Sequence, residues 1–270
     1  MLRCPVDEAL GGAALAGLST VIAVGIDAAS SRTAIDLAHE HSDAPLPGWM
    51  VVHEGDAGEG SGETPDRLPQ VRATVGLHPH DAAQWSDEVA EELLELAADP
   101  FVVAVGECGL DFYRDLSPRD AQEVAFRGQI EVARRAGKPL VVHVREAAAE
   151  ALDVLARHAD DLTVVMHCFS LAGHEDECNE RGYFASFAGN LTFKKAEELR
   201  RAARLLDEER LLVETDAPFL SPVPYRGKDN LPERVVVTAQ ALAAERGWDE
   251  MQADEVTTVN AERVFALARE

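Results

Sequence analysis

Histidine and carboxylate side chains stand at or just after the ends of short apolar runs along this chain. The runs are rich in Val and other β-branched residues, as buried strands are. The side chains at their ends are His78, Glu107, His143, His167 and Asp216. Burying such groups as bare charges is costly, so a cation is their natural partner, and imidazole mixed with carboxylate suits Zn²⁺, Mn²⁺ or Fe²⁺ better than Mg²⁺. The residue types predict a divalent-cation site if the fold brings them together.

The order of elements predicts an α/β fold, because short strand-like runs alternate with longer amphipathic segments. In a TIM (β/α) barrel the carboxyl ends of all strands meet on one face, which carries the active site. The chain of 270 residues is close to the size of one such barrel, about 250 residues. We therefore expect a single domain over residues 1–270. The predicted strands are Thr20–Val24, Arg72–Gly76, Val102–Gly106, Leu140–Val144, Thr163–Cys168, Tyr183–Phe187 and Leu211–Glu214, which is one fewer than a closed barrel needs. The clearest helix patterns are Arg119–Ala136, Ala147–His158, Glu197–Leu206 and Glu233–Arg246.

Composition limits the classes of function. Apolar residues make up 46% of the chain, which excludes a disordered protein. The formal charge is −24, so nucleic acid and anionic membranes are repelled at long range, and a phosphate substrate must be held by local positive charge. The uncharged stretch from Ala9 to Ile26 is rich in Gly and Ala and follows two acidic residues, so we interpret it as a buried helix, turn and strand. The four cysteines form no C-x-x-C pair, which argues against a zinc knuckle or disulfide framework and favours the reducing cytoplasm.

Several longer motifs resemble the TatD family of metal-dependent nucleases. Val105–Tyr113 is similar to the family's G-E-x-G-L-D signature, and Lys138–Ala147 is similar to P-x-x-x-H-x-R-x-A. Further similar segments are Met166–Ser170, Leu212–Pro218 and Pro224–Asn230. The resemblance covers residues 5 to 268, in order and at the family's spacing.

The resemblance implies a barrel that binds two divalent cations, Zn²⁺, Mn²⁺ or Mg²⁺, and hydrolyses the phosphodiester bonds of DNA, usually as an exonuclease. By resemblance, Glu107 would bridge the two cations and His143 with His167 would complete one site. Asp216 would belong to the other site and position or deprotonate the attacking water. Two cations close together suit an in-line displacement at phosphorus. His78, in the family's pocket segment, is expected to join Glu107 and Asp216 around the substrate.

Three cationic side chains are candidates for binding phosphate. Arg145 shares the face of His143 if the strand reaches it, although a surface ion pair with Glu146 is the alternative. Arg226 and Lys228 resemble the family's R-G-K substrate loop, and their charge could offset the global −24. No obligate protein partner is evident in the sequence.

The beginning of the sequence departs from the family pattern. TatD-type chains begin with an H-x-H that supplies two ligands to the cation held by the equivalent of Asp216. Here Met1–Asp7 resembles the family's first helix, so the first strand is expected to be missing, either through a start downstream of the natural one or in a natural variant. The second site would keep only Glu107 and Asp216 and bind a cation weakly, leaving one main site. The segment His39–His41 matches the H-x-H pattern but follows a helix. We therefore expect it at the opposite, N-terminal face of the barrel and on the surface.

Two alternatives to a nuclease remain open from the sequence. The first is hydrolysis of a C–N bond in a small molecule, as in other amidohydrolases, although those enzymes often carry a bridging Lys where this chain has Glu107. The second is a scaffold without activity, which the missing strand favours and the retained histidines and carboxylates oppose. The acidic, Gly-rich segment Val52–Arg67 is interpreted as a solvated loop.

Overall fold

The computed structural model describes residues 4–42, 44, 65 and 67–267. The predicted loop Val52–Arg67 lies outside these residues, apart from Pro65 and Arg67. The strands are β1 Thr20–Val24, β2 Gln70–Val75, β3 Val102–Asp111, β4 Leu140–Arg145, β5 Val164–Met166, β6 Phe184–Phe187 and β7 Leu211–Val213. The α-helices are α1 Val6–Leu15, α2 Ala28–Glu40, α3 Asp87–Ala97, α4 Arg119–Ala136, α5 Ala148–His158, α6 Glu175–Glu180, α7 Glu197–Leu205, α8 Val235–Arg246 and α9 Glu250–Phe265.

The strands form one parallel sheet in chain order from β1 to β7, curled into a half-barrel. Within the described residues, β1 and β7 each pair on one side only, so the sheet is open between them. The predicted α/β fold and its seven strands are confirmed. The largest difference is in β3, which continues past the predicted end at Gly106 to Asp111. The glycines and polar residues of this stretch hide the strand from a pattern of apolar residues.

Successive residues of the central strands pack into two separate apolar clusters, one on each face of the sheet. The larger cluster joins strand residues such as Val142 and Met166 to helix residues such as Ile130 of α4, so it lies between the sheet and its helices. The smaller cluster lies on the inner face of the curl, and its members are Ala104, Val141, Val165, Phe184, Leu212 and Val264. The alternation follows from the two-residue period of a strand.

Helix α4 fixes two of the segments that carry candidate site residues. The buried Gln129 side chain accepts a hydrogen bond from Leu77 N (2.7 Å) and donates one to Leu77 O (2.8 Å), next to His78. The Gln122 side chain accepts from Asp111 N (2.8 Å) at the end of β3. Gly137 ends α4 in the left-handed conformation (φ 64°), which suits glycine. Among the described residues, no helix is long and apolar enough to cross a membrane.

Candidate metal centre

Three histidine rings converge on one oxygen of Glu107, at the carboxyl end of the sheet. Oε1 of Glu107 lies 2.8 Å from Nδ1 of His143, 3.5 Å from Nε2 of His167 and 3.5 Å from Nε2 of His78. The potential ligand atoms of His78, Glu107 and His143 all lie within 4.8 Å of one another. Glu107 itself is only 9% exposed. The structure therefore brings together side chains that come from β2, β3, β4 and β5 or directly follow them.

A β-bulge turns Glu107 toward the inner face of the sheet. Val105 pairs with Leu140 and Cys108 pairs with Val142, so β3 has one residue more than β4 between these pairs. Without the extra residue, Glu107 would share the outer face with Val105, which packs in the larger apolar cluster, between the sheet and its helices. With the bulge, Glu107 faces inward and Cys108 returns to the helix side. The extra residue is the reason that a carboxylate in this strand reaches the histidines.

Glycine is required at the bulge for two reasons. Gly106 has φ +141°, a conformation that other residues rarely adopt, and a Cβ there would lie 2.4 Å from the carbonyl oxygen of Val141. The neighbouring strand end approaches it just as closely, since a Cβ on Gly76 would lie 2.6 Å from the Gly106 carbonyl carbon. Both glycines allow the backbone approach that aims Glu107.

The positions of His143 and His167 follow from the strand period. His143 comes two residues after Val141 on β4, and His167 comes two residues after Val165 of β5. Both valines belong to the inner cluster, so the histidines form the next layer toward the carboxyl end of the sheet. The two rings are stacked with their centroids 6.3 Å apart. The apolar layer below thus supports a polar layer above it.

His78 lies in the turn after β2, next to a second histidine. Its backbone N–H donates to Ile26 O (2.9 Å), and its Nδ1 accepts from His80 N (3.1 Å), which fixes the ring. His80 Nε2 lies 2.8 Å from Oδ2 of Asp111, a side chain that is 1% exposed. Burial would raise the pKa of Asp111, but hydrogen bonds from Arg114 N and His80 outweigh it and hold the pKa below its usual value. Asp111 is therefore a buried carboxylate next to the histidine cluster.

Two more carboxylates approach the cluster from the end of β7. Glu214 Oε1 lies 2.9 Å from Nδ1 of His167, and Asp216 Oδ1 lies 3.8 Å from Nε2 of the same ring. Burial would lower the pKa of His167, but the charges of Glu214, Glu107 and Asp216 raise it well above its usual value. Burial raises the pKa of Asp216 to about 7, and the nearby charges of Glu214 and Glu107 act in the same direction, against the charge of His167.

The electrostatics and chemistry of these donors fit a divalent cation. Burial would raise the pKa of Glu107, but the charge of His167 and hydrogen bonds with His143 and His78 hold it well below its usual value. The carboxylate is therefore ionised, and the surrounding acids favour a positive charge beside it. The raised pKa of His167 favours a proton that supplies this charge, and a divalent cation would supply positive charge at the same place. Imidazole nitrogen with carboxylate oxygen is the donor set of Zn²⁺, Mn²⁺ and Fe²⁺ sites.

The backbone is strained around the same edge of the sheet. Glu146, Cys168 and Asp216 have φ values of 53°, 43° and 55°, a left-handed conformation that costs a non-glycine residue about 1–2 kcal/mol. They follow β4, β5 and β7, and each is at or within three residues of a side chain of the cluster. Strain of this kind is typical of functional sites.

Exposed cations lie at the end of β4 and on the loop after β7. The Arg145 guanidinium lies 3.9 Å from the centre of the Tyr113 ring, and Arg226 lies 3.8 Å from that of Phe193. Lys228 is exposed and, with Arg226 and Phe193, lines a shallow pocket of about 180 Å³. Because β4 includes Arg145, this side chain lies on the same face of its strand as His143.

Comparison with known proteins identifies the family. The family model described as TatD related DNase matches residues 5–266. The chain belongs to this family. It is 41% identical over 204 residues to the uncharacterized metal-dependent hydrolase TatD of Mycobacterium tuberculosis, covering 73% of this chain and 77% of the relative. It is 35% identical over 263 residues to the 3′-5′ ssDNA/RNA exonuclease TatD of Pectobacterium atrosepticum, covering 95% and 91%. The crystal structure of YJJV, a TatD homolog from Escherichia coli, superposes with a TM-score of 0.80 at 25% identity, covering 97% of this chain and 92% of that one.

The residues predicted from the TatD motifs lie around one histidine cluster in the structure. Glu107, His143 and His167 lie together, and Asp216 lies beside the same Nε2 of His167 that faces Glu107. His78, expected to contact substrate, lies within the cluster itself. Their roles in binding a cation or substrate stay predictions.

The segment His39–His41 was expected to be entirely on the surface, and this is wrong for His41. It lies at the end of α2, and the next strand, β2, runs from there toward the cluster, so the segment is at the opposite end of the sheet, as expected. His39 is exposed and lies 2.8 Å from Asp99. His41 is 6% exposed and continues the buried face of α2, three residues after the buried Ala38; its Nε2 lies 3.9 Å from Oδ1 of Asp7.

Sequence reasoning missed three side chains that contact the TatD histidines. His80 lies two residues after His78 in the same turn. Asp111 closes the G-E-x-G-L-D signature, but only the unpredicted extension of β3 shows that it faces inward. Glu214 stands two residues before Asp216, and the period of a strand would have placed both on one face. The two-residue spacing of Glu214 and Asp216 after β7 was the signal available for Glu214.

Proposed function

We propose that this TatD family member is a metal-dependent phosphodiesterase that removes nucleotides from the ends of DNA or RNA in the cytoplasm. The observation that carries the proposal is the convergence of three histidine nitrogens on Oε1 of the ionised Glu107. The name of the Pectobacterium relative, an ssDNA/RNA exonuclease that aligns with 95% of this chain, supports the choice of substrate.

Glu107, His143 and His167 would hold the main cation, with His78 as the nearest further donor. Asp216, whose Oδ1 faces the same Nε2 of His167 as Glu107 does, would contribute to a second and weaker site. A bound divalent cation would stabilise the negative charge that develops on the phosphoryl oxygens during displacement.

Asp216 is suited to accept a proton from the attacking water. Its carboxyl group is partly open to solvent, with 27% of the side chain exposed. Its pKa of about 7 means that the group exchanges a proton readily near neutral pH, which is the requirement for a general base. Oδ1, which faces His167, is the atom that would take the proton.

The loop cations would hold the nucleic acid against the acidic remainder of the molecule. Arg145, Arg226 and Lys228 are all exposed, as phosphate-binding groups must be. The guanidinium groups of Arg145 and Arg226 are already ordered by aromatic rings, so less side-chain entropy is lost on binding phosphate.

The proposal is tested with single-stranded DNA and RNA of one sequence, labelled at the 5′ end so that loss from the 3′ end gives a ladder. The protein is stripped with a chelator and reloaded with Zn²⁺, Mn²⁺ or Mg²⁺. We expect the reloaded parent to give a ladder, His143→Ala to give none, and His39→Ala, a control on the opposite end of the sheet, to match the parent. Loaded parent protein that binds the cation but leaves both substrates intact would contradict the proposal.

A further inference from the structure

Two histidines of the cluster each lie between the shared Glu107 and a carboxylate of their own. The ring of His143 presents Nδ1 to Glu107 Oε1 at 2.8 Å and Nε2 to Asp111 Oδ2 at 3.4 Å. The ring of His167 presents Nε2 to the same Glu107 oxygen at 3.5 Å and Nδ1 to Glu214 Oε1 at 2.9 Å. The two rings therefore present opposite nitrogens to Glu107: Nδ1 of His143 and Nε2 of His167.

Asp111 is held in place by donors on both of its oxygens. Oδ1 accepts hydrogen bonds from Tyr113 N at 3.0 Å and Arg114 N at 2.7 Å. Oδ2 faces His80 Nε2 at 2.8 Å as well as His143. A carboxylate fixed by two backbone groups cannot turn away, so it constrains any ring that contacts it.

Glu214 is fixed through its strand. Its backbone N–H donates to Phe187 O at 2.9 Å, continuing the β6–β7 pairing, and its side chain is 19% exposed. Nε2 of His143 and Oε1 of Glu214 are buried and make no hydrogen bond of normal angle in this structure, although each lies within 3.4 Å of its partner. In unloaded sites such hydrogen bonds are often poorly aligned and tighten only in the loaded complex.

A neutral imidazole has one N–H and one lone pair, so the hydrogen bond at one nitrogen decides which nitrogen is free for a cation. We propose that Asp111 and Glu214 are positioning residues that fix the orientation and tautomer of His143 and His167. They leave Nδ1 of His143 and Nε2 of His167 facing the cation beside Glu107. The inference rests on the cation site of the proposed function, but not on the substrate or the reaction.

The two carboxylates differ in what can replace them. Gln at position 214 keeps an oxygen that can accept from Nδ1–H of His167, so it preserves the tautomer without the charge. Asn at position 111 has only one oxygen, and it cannot accept from the backbone N–H groups of Tyr113 and Arg114 and from the histidines at once. The amide is therefore expected to rescue at position 214 and to fail at position 111.

The test measures the affinity of the chelator-stripped protein for Zn²⁺ by competition with a chromophoric chelator. We expect Glu214→Ala and Asp111→Asn to lose about 10–100-fold in affinity, while Glu214→Gln stays within about threefold of the parent, which is less than 1 kcal/mol. Asp81→Ala is the matched control, because Asp81 lies near His78 but accepts a hydrogen bond from Gln84 rather than from a histidine. It is expected to bind Zn²⁺ like the parent.

A second readout follows the tautomers directly. In ¹⁵N-labelled, Zn²⁺-loaded parent protein, ring-proton spectra should show the N–H of His143 at Nε2 and that of His167 at Nδ1. In Glu214→Ala the His167 ring proton should be lost to rapid exchange, while Glu214→Gln should retain it. Urea unfolding of the stripped variants identifies any variant that does not fold. Asp111→Asn carries the greater risk, because Asp111 is fully buried. If it does not fold, the two Glu214 variants test the proposal.

Three results would overturn the inference: Glu214→Ala binding Zn²⁺ like the parent, Asp81→Ala losing as much affinity as Glu214→Ala, or a parent that binds no Zn²⁺. Tight Zn²⁺ binding that depends on Glu214, in a protein that cleaves neither DNA nor RNA, would support the inference while contradicting the proposed function.

Discussion

Replacing Gly106 with Ala should both destabilise the protein and weaken cation binding. The added Cβ would meet the Val141 carbonyl oxygen at 2.4 Å and the Val141 Cβ at 2.8 Å. The φ of +141° adds a conformational cost, about 1–3 kcal/mol for a side chain in a sparsely populated region. Overlap in a packed core adds about 1–3 kcal/mol. We therefore expect Gly106→Ala to lower the free energy of unfolding by about 4 kcal/mol.

Two other glycines separate these causes. Gly137 has a positive φ of +64° with nothing within 4 Å of its Cβ position, so Gly137→Ala should cost only the conformational term, about 1 kcal/mol. Gly76 is not in the left-handed region, but its Cβ would lie 2.6 Å from Gly106 backbone, so Gly76→Ala should cost the overlap alone, about 2 kcal/mol. Urea unfolding in a chelator measures all three without any contribution from a bound cation.

Zn²⁺ titration of the folded variants then shows whether the bulge aims Glu107. Gly106→Ala and Gly76→Ala are expected to lose affinity, because each added Cβ would displace the backbone at the bulge or next to it. Gly137→Ala is expected to keep the affinity of the parent. The reasoning is refuted if Gly106→Ala unfolds at the same urea concentration as Gly137→Ala and binds Zn²⁺ like the parent.

Three further predictions concern charge, support and substrate. In chelator, the pKa of about 7 means that folded Asp216 keeps a proton that the unfolded chain releases near pH 4, so the free energy of unfolding falls as pH rises between these values. Between about pH 5 and pH 8, urea unfolding should show the parent losing about 2 kcal/mol more than Asp216→Asn. Equal pH dependence in the two proteins would contradict the raised pKa of Asp216. Gln129→Leu leaves both backbone groups of Leu77 unpaired, so unfolding should become easier by about 3 kcal/mol; an unchanged urea midpoint would contradict this. Arg226→Ala should weaken binding of single-stranded DNA and lower the steepness of log affinity against log salt by about 0.7. Arg127 is exposed on α4, and Arg127→Ala should change neither quantity. Identical slopes for both variants and the parent would exclude a phosphate contact at Arg226.

The sequence predicted the architecture well because its signals are local. Each strand of the sheet contains an apolar run, and the period of two places His143 on the same face of its strand as Val141 without any knowledge of the fold. The resemblance to the TatD family, confirmed over residues 5–266, added the grouping of residues that lie far apart in sequence. The single domain over residues 1–270 stays a prediction.

What the sequence did not predict depends on backbone geometry. The bulge at Gly106 reverses the face of every later residue of β3, so the inward direction of Asp111 could not be counted from the start of the strand. His78 was placed in a substrate pocket, and only the turn held by α4 brings its Nε2 within 3.5 Å of Glu107. The burial of His41 was missed although it lies three residues after the buried Ala38, on the same face of α2.

The most direct test of the metal centre is anomalous X-ray scattering from crystals of the Zn²⁺-loaded protein, recorded on both sides of the zinc absorption edge. We predict that the strongest anomalous peak lies beside Oε1 of Glu107, about 2.0–2.1 Å from Nδ1 of His143 and Nε2 of His167. A strongest peak at His39 or at any other group away from Glu107, with none among the three converging histidines, would contradict the account.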